Sequence, residues 1–137
     1  MEDKVISYTV EHQLTVNELK DVITTAVEGG IGYWACLLND DADYQESFKE
    51  LKEEMPDGPC YCDIIYRTIE KGKAVKFLDE EEDETYSLTY ENLLNGIKLF
   101  EAKRGKSVHK CLEEGDFDAI DGDAVFQYAL FGELIYG

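Results

Sequence analysis

Residues 15–38 read TVNELKDVITTAVEGGIGYWACLL, and the fold class turns on how this stretch changes character halfway along. Its first half is helical by two signs. Thr15-Val16-Asn17-Glu18 has the form of a capping box, in which a hydroxyl and a carboxylate satisfy the orphan N–H groups of a helix start. Leu19, Val22, Ile23, Ala26 and Val27 then recur at the spacing that places them on one face. The pattern predicts a helix from Val16 to Glu28, stopped by Gly29-Gly30. The second half, Ile31 to Leu38, is short, aromatic and bounded by glycine and by Asn39-Asp40, which predicts a buried strand.

Working outward, Lys4 to Val10 is rich in β-branched residues and is expected to supply another strand. Tyr44, Phe48 and Leu51 predict a surface helix from Asp43 to Glu54, ended by the turn formers Met55-Pro56-Asp57-Gly58-Pro59. Cys60 to Tyr66 reads equally as a strand or as the start of a helix that carries Ile64, Ile65 and Ile69 and ends near Gly72. Ala74–Leu78 and Thr85–Leu88 form the arms of an expected hairpin whose tip, Asp79-Glu80-Glu81-Glu82-Asp83-Glu84, is too charged to pack.

Thr89 is placed to cap a helix from Tyr90 to about Lys103, with Leu93, Leu94, Ile97 and Phe100 facing inward and Gly105 at its end. Asp121 is expected to cap a last helix, Asp123 to Phe131, with almost no polar face and therefore buried. No repeat and no second core is legible. The expectation is one α+β domain over residues 1–137, a small, mostly antiparallel sheet with three to five helices packed on it.

A chain of 137 residues is long enough to bury roughly two thirds of its unfolded surface. Its 44% hydrophobic content makes a packed core the expectation despite the acidity. The 31 Asp and Glu against 13 Lys and Arg give a net charge of -18, which argues against direct nucleic-acid binding because phosphates require clustered cations. The same field favours a basic protein partner, although it also serves solubility alone. No stretch approaches the roughly 20 apolar residues of a membrane span, and Met1-Glu2-Asp3-Lys4 does not open a secretory signal. A cytoplasmic setting is expected, with Cys36, Cys60, Cys62 and Cys111 as free thiols.

Three blocks resemble a family of small proteins widespread in phages and prophages. They are Thr25-Ala26-Val27-Glu28-Gly29-Gly30-Ile31-Gly32-Tyr33-Trp34, then Leu88-Thr89 with Gly96-Ile97, then Ile120-Asp121-Gly122-Asp123-Ala124-Val125-Phe126-Gln127-Tyr128-Ala129-Leu130-Phe131-Gly132. Members often carry an Arg-Gly-Gly-like turn, where this chain reads Glu70-Lys71-Gly72-Lys73. The resemblance implies a phage accessory protein of the kind that inhibits or redirects host systems. It implies no reaction, no cofactor and no catalytic residue.

Two regions stand out as binding candidates. Glu28, Gly29, Gly30, Tyr33 and Trp34 combine close backbone approach, a carboxylate and flat rings suited to a nucleotide base, and Asp121, Asp123 and Gln127 can converge on them. The competing reading makes the glycines helix punctuation, the aromatics core, Asp121 a cap and Gln127 a buried amide bonded to backbone. If Ile31–Leu38 is a strand, Tyr33 and Trp34 point to opposite faces. The second region is the acidic run Asp79, Glu80, Glu81, Glu82, Asp83 and Glu84, with companions in Asp40–Glu54 and Glu113–Asp123, which can imitate nucleic-acid phosphates or simply be solvated.

A calcium loop around Gly122 fails, since Phe117, Ala119 and Tyr128 would occupy ligand positions. Cys60, Cys62, His109 and Cys111 offer four zinc ligands at atypical spacing. No triad or phosphate loop is legible, and no acid–base pair supports a catalyst built on Glu28 or Asp121. The leading expectation is therefore a non-enzymatic inhibitor of a host defence protein, of the anti-CRISPR or anti-restriction kind, that occludes a basic surface. The alternative is a sponge for a nucleotide signal, which needs local cations such as Arg67, Lys71, Lys73 or Arg104. The apolar tail Glu133-Leu134-Ile135-Tyr136-Gly137 either packs against a second chain, giving a homo-oligomer, or folds back.

Overall fold

The computed structural model describes residues 3–137. Regular structure begins where the capping box places it. Thr15 accepts from the Glu18 N–H at 3.1 Å, Glu18 accepts from the Thr15 N–H at 3.0 Å, and α1 runs over Val16–Thr25. The helix then widens into a π-helical turn, Ala26–Gly30, closed by the Ile31 N–H on the Ala26 carbonyl at 2.8 Å. There follow β1 (Ala35–Leu37), α2 (Ala42–Glu54), α3 (Tyr61–Glu70), β2 (Val75–Asp79), β3 (Glu84–Leu88), α4 (Tyr90–Arg104), α5 (Val108–Glu113) and α6 (Ala119–Phe131).

The three strands form one antiparallel sheet in the order β1-β2-β3, with Ala35 opposite Asp79 and Val75 opposite Leu88. The architecture is α+β, with a small antiparallel sheet and, among the described residues, six α-helices, one more than the upper end of the expected range.

α6 occupies the centre. It touches α4, the π-helical turn, α1 and β3, and Phe126 meets Phe77 of β2 edge to face at 5.6 Å. Both rings are sealed from solvent, which contributes about 1.5–3 kcal/mol each. The approach of α6 to its neighbours is backbone to backbone. A Cβ on Gly122 would lie 2.8 Å from the Ala26 nitrogen, one on Gly30 2.9 Å from the Asp123 nitrogen, and one on Gly96 2.6 Å from the Val125 carbonyl oxygen. One glycine from each of the three sequence blocks, Gly30, Gly96 and Gly122, thus sits where α6 crosses the π-helical turn or α4.

Several expectations change. Lys4–Val10 forms no strand: it pairs with none of the three strands, and Val5, Ile6, Tyr8 and Val10 are exposed, so no apolar face is buried to hold it against the sheet. The strand expected over Ile31–Leu38 shrinks to Ala35–Leu37, because the Trp34 and Ala35 N–H groups both bond the Ile31 carbonyl at 2.9 Å and turn the chain. Cys60–Tyr66 resolves as helix. α5 was not anticipated, although Ser107 capping the Lys110 N–H and the spacing of Val108, Cys111 and Leu112 are its signature. α6 is capped by Asp118, whose carboxylate accepts from the Asp121 N–H at 3.1 Å; Asp121 is the reciprocal member of that capping box, not the cap.

Candidate functional site

The turn at Ile31–Trp34 has a consequence that a strand would have forbidden. Tyr33 and Trp34 reach the same carboxylate: Tyr33 donates its hydroxyl to Asp123 Oδ2 at 2.6 Å, and Trp34 donates Nε1–H to Asp123 Oδ1 at 2.8 Å. Gln127, one turn further along α6, donates Nε2–H to Asp123 Oδ1 at 3.0 Å. Trp34 is 1% exposed and Gln127 equally buried, so the carboxylate's donors come from the chain itself. Burial first, and then the Asp123 acceptor and its charge, push the Tyr33 hydroxyl up to about 12, keeping it a donor.

Gln127 also fastens the tail. Its Oε1 accepts from the N–H groups of Ile135 at 2.8 Å and Tyr136 at 2.9 Å, while Nε2 donates to the Tyr136 carbonyl at 3.1 Å. This satisfies the buried amide from backbone, as anticipated. Tyr136 folds back to stack on Trp34 at 5.3 Å, and its hydroxyl donates to Asp79 Oδ2 at 2.8 Å.

Asp79 corrects the view of the hairpin tip as wholly unpackable. It is 2% exposed, inside the sheet register, and its Oδ1 accepts from the Glu81 N–H at 3.0 Å and the Glu82 N–H at 3.3 Å. The Glu80 N–H bonds the Trp34 carbonyl at 2.8 Å. The tip is therefore held by its own base, and Asp123, Gln127, Tyr136 and Asp79 form one connected polar chain from the centre of the molecule to the hairpin.

Glu80, Glu81, Glu82, Asp83 and Glu84 project from that base into solvent, and among the described residues none of them forms an ion pair. The other two acidic clusters are partly compensated. Arg67 pairs with Glu50 and Glu54 across α2 and α3, Lys71 with Glu50, Arg104 with Asp116 and Asp121, and Lys106 with Glu114. The hairpin tip is thus a concentrated negative charge with no ion-pair partner among the described residues; the Tyr86 hydroxyl donates to Glu84 at 3.1 Å.

Of the remaining candidates, no side chain joins Asp123 and Gln127. Glu28 is exposed and faces Tyr61 of α3, whose buried hydroxyl has no hydrogen-bond partner of good geometry among the described residues and is held protonated by burial and by the nearby carboxylate. A Cβ on Gly29 would lie 3.4 Å from Ala119 Cβ, and Gly30 is pressed on Asp123 backbone. Asp121 pairs with Arg104 at 2.8 Å; its carboxyl is nevertheless raised, because burial outweighs the cation. Cys60, Cys62, His109 and Cys111 separate: His109 pairs with Glu18 and Glu113, and Cys111 is buried on α5, whereas Cys60 and Cys62 meet Asp63.

A feature the sequence did not reveal is a cleft of about 840 Å³ between the 9–16 segment, α1 and α4, lined by Leu14, Leu19, Tyr66, Tyr90, Leu94 and Ile97. His12, on its rim, pairs with Glu101 at 3.0 Å. Among the described residues no helix is long and apolar enough to cross a membrane. Compared with protein-family models, curated proteins and solved structures, the chain matches none.

Proposed function

We propose that this chain is a phage-encoded, non-enzymatic accessory protein that inhibits a host defence system in the host cytoplasm by occluding a basic nucleic-acid-binding surface. The observation that carries the reading is the hairpin tip Glu80–Glu84, exposed, unpaired among the described residues, and braced by Asp79. Duplex DNA presents one charge per about 1.7 Å of its axis, and five consecutive carboxylates on a tight turn offer a comparable density to a cationic groove. A net charge of -18 adds long-range steering toward such a groove.

Nucleotide capture draws less from the geometry. The rings and carboxylate it would use are bonded to one another, and Arg67, Lys71 and Arg104 are committed to carboxylates. The test is recovery of host proteins on the tagged chain from infected cells, alongside a variant with Glu80, Glu81, Glu82 and Glu84 changed to Gln and Asp83 to Asn. The expected result is a nucleic-acid-binding protein held by the parent chain, lost with the variant, released near 1 M salt where the Debye length is about 3 Å, and unable to bind its nucleic acid when saturated. Equal recovery on both chains, or a retained nucleotide with no protein partner, overturns it.

A further inference from the structure

The loop Met55-Pro56-Asp57-Gly58-Pro59 delivers Cys60 to the N-cap of α3, where Ser, Thr, Asp or Asn would serve the helix better than a thiol. Cys62 follows in the first turn, and Asp63 folds back so that its Oδ2 accepts from both the N–H and the thiol of Cys60 at 3.2 Å. One sulfur from each cysteine and one oxygen from Asp63 lie within 4.8 Å of one another. Asp63 Oδ1 is taken by Lys20 of α1 at 3.0 Å, which orients the carboxylate and leaves Oδ2 facing the thiols.

The geometry points to a mononuclear site for a thiophilic divalent cation, Zn²⁺ or Cd²⁺, with Cys60 and Cys62 as thiolate ligands, Asp63 as the carboxylate ligand and Lys20 as its orienting partner. Two thiolates and a carboxylate bring three negative charges; Lys20 offsets one and a divalent ion the remaining two. Soft sulfur donors select Zn²⁺ or Cd²⁺, while Mg²⁺ and Ca²⁺ require six or more oxygen ligands that are not assembled here. Cys62 is buried and Cys60 exposed, so the cluster has a closed inner side and an outer side open to a water as fourth ligand. Binding releases the thiol protons, and affinity therefore rises with pH. His109 and Cys111 are not part of this site.

The site is tested by titrating the reduced chain with Cd²⁺ and following the thiolate-to-metal charge-transfer absorption, then displacing Cd²⁺ with Zn²⁺. Saturation at one equivalent is expected, with the band weakened in Cys60→Ser, abolished in the Cys60→Ser/Cys62→Ser double variant, and intact in Cys36→Ser. Asp63→Asn should lower affinity about tenfold or more while leaving the band. Because Cys60 is exposed, Cys60→Ser keeps the test sound even where replacing buried Cys62 disturbs folding. No saturable band, or a band unchanged in Cys60→Ser, overturns the proposal.

Discussion

Trp34 donates its indole N–H to Asp123 at 2.8 Å across 89 residues of sequence, and the contact joins the glycine-aromatic block to the last helix. Asp123 is also the acceptor for Tyr33 and Gln127, so one carboxylate sets the turn after the π-helical segment and, through Gln127, the path of the tail. Four of the residues that look like a ligand pocket in sequence, Tyr33, Trp34, Asp123 and Gln127, are bonded to each other.

Asp123→Ala strands three donors at once. Hydrogen bonds to a charged group are worth about 1.5–3 kcal/mol each, and unsatisfied buried donors add to the loss, so destabilisation of about 3 kcal/mol or more is expected. Tyr33→Phe, which removes one partly exposed hydroxyl, should cost about 1–2 kcal/mol. Urea unfolding followed through Trp34 fluorescence measures both. An Asp123→Ala loss below about 1 kcal/mol means the carboxylate is not the organising acceptor.

The elements legible in sequence are those whose signals are local. The capping box at Thr15, the cap at Thr89 and the apolar spacing after each place α1 and α4 within a few residues. Ile31–Trp34 misled because a short apolar run has no periodicity to separate a turn from a strand, and what bends it is a carboxylate on a distant helix. Asp79 was read with its acidic neighbours, yet its environment is set by Tyr136 at the far end of the chain. The expected cap at Asp121 lies three residues too late, because the helix starts at Ala119 and Asp118 caps it. The cleft beside α4 has no sequence signature, since packed elements create it.

Gly96→Ala tests the closest helix contact. On helix propensity alone the change should stabilise α4 by about 1 kcal/mol. The new methyl would lie 2.6 Å from the Val125 carbonyl oxygen and 2.8 Å from Ala129 Cβ, and both belong to a packed helix that cannot yield cheaply. Overpacking of this kind costs about 1–3 kcal/mol, so net destabilisation is expected, with a lower Tm by calorimetry. A raised Tm would mean that α4 and α6 can separate.

Stability should have a plateau to whose edges the Glu18–His109 pair contributes, the acid edge being shared with Glu50, Glu54 and Asp63, whose carboxyls are also lowered by cations beside them. The hydrogen bond and charge of Glu18 raise the His109 pKa above its usual 6.5, so its contribution is full below that value and is lost as pH rises through the folded pKa. The Thr15 backbone N–H first, and then His109, lower the Glu18 pKa below 4.5; that contribution is present above 4.5 and lost as pH falls through the folded value. His109→Gln should flatten the decline above about pH 6.5 and keep the Thr15-linked acid-side decline, read as urea midpoints across the pH range. An unaltered upper edge excludes the pair as its source.

The braced hairpin separates anchor from charge. Tyr136→Phe removes the hydroxyl that donates to buried Asp79, and leaving that carboxylate short of a donor should cost about 1.5–3 kcal/mol and speed amide exchange at Glu81 and Glu82. Neutralising Glu80, Glu81, Glu82, Asp83 and Glu84 should do the reverse. These side chains form no ion pairs among the described residues, and Glu84→Gln keeps an acceptor for the Tyr86 hydroxyl that donates to Glu84 at 3.1 Å, so no charge pairing is lost; five like charges are relieved in a chain of net charge -18. Stability should hold or rise by less than about 1 kcal/mol at low salt, the difference vanishing near 1 M where screening is nearly complete. Paired unfolding curves at the two salt concentrations decide it. A stable neutral tip makes any loss of partner binding a matter of charge, whereas an unstable one would mean that the carboxylates shape the hairpin and that the binding experiment must use single substitutions.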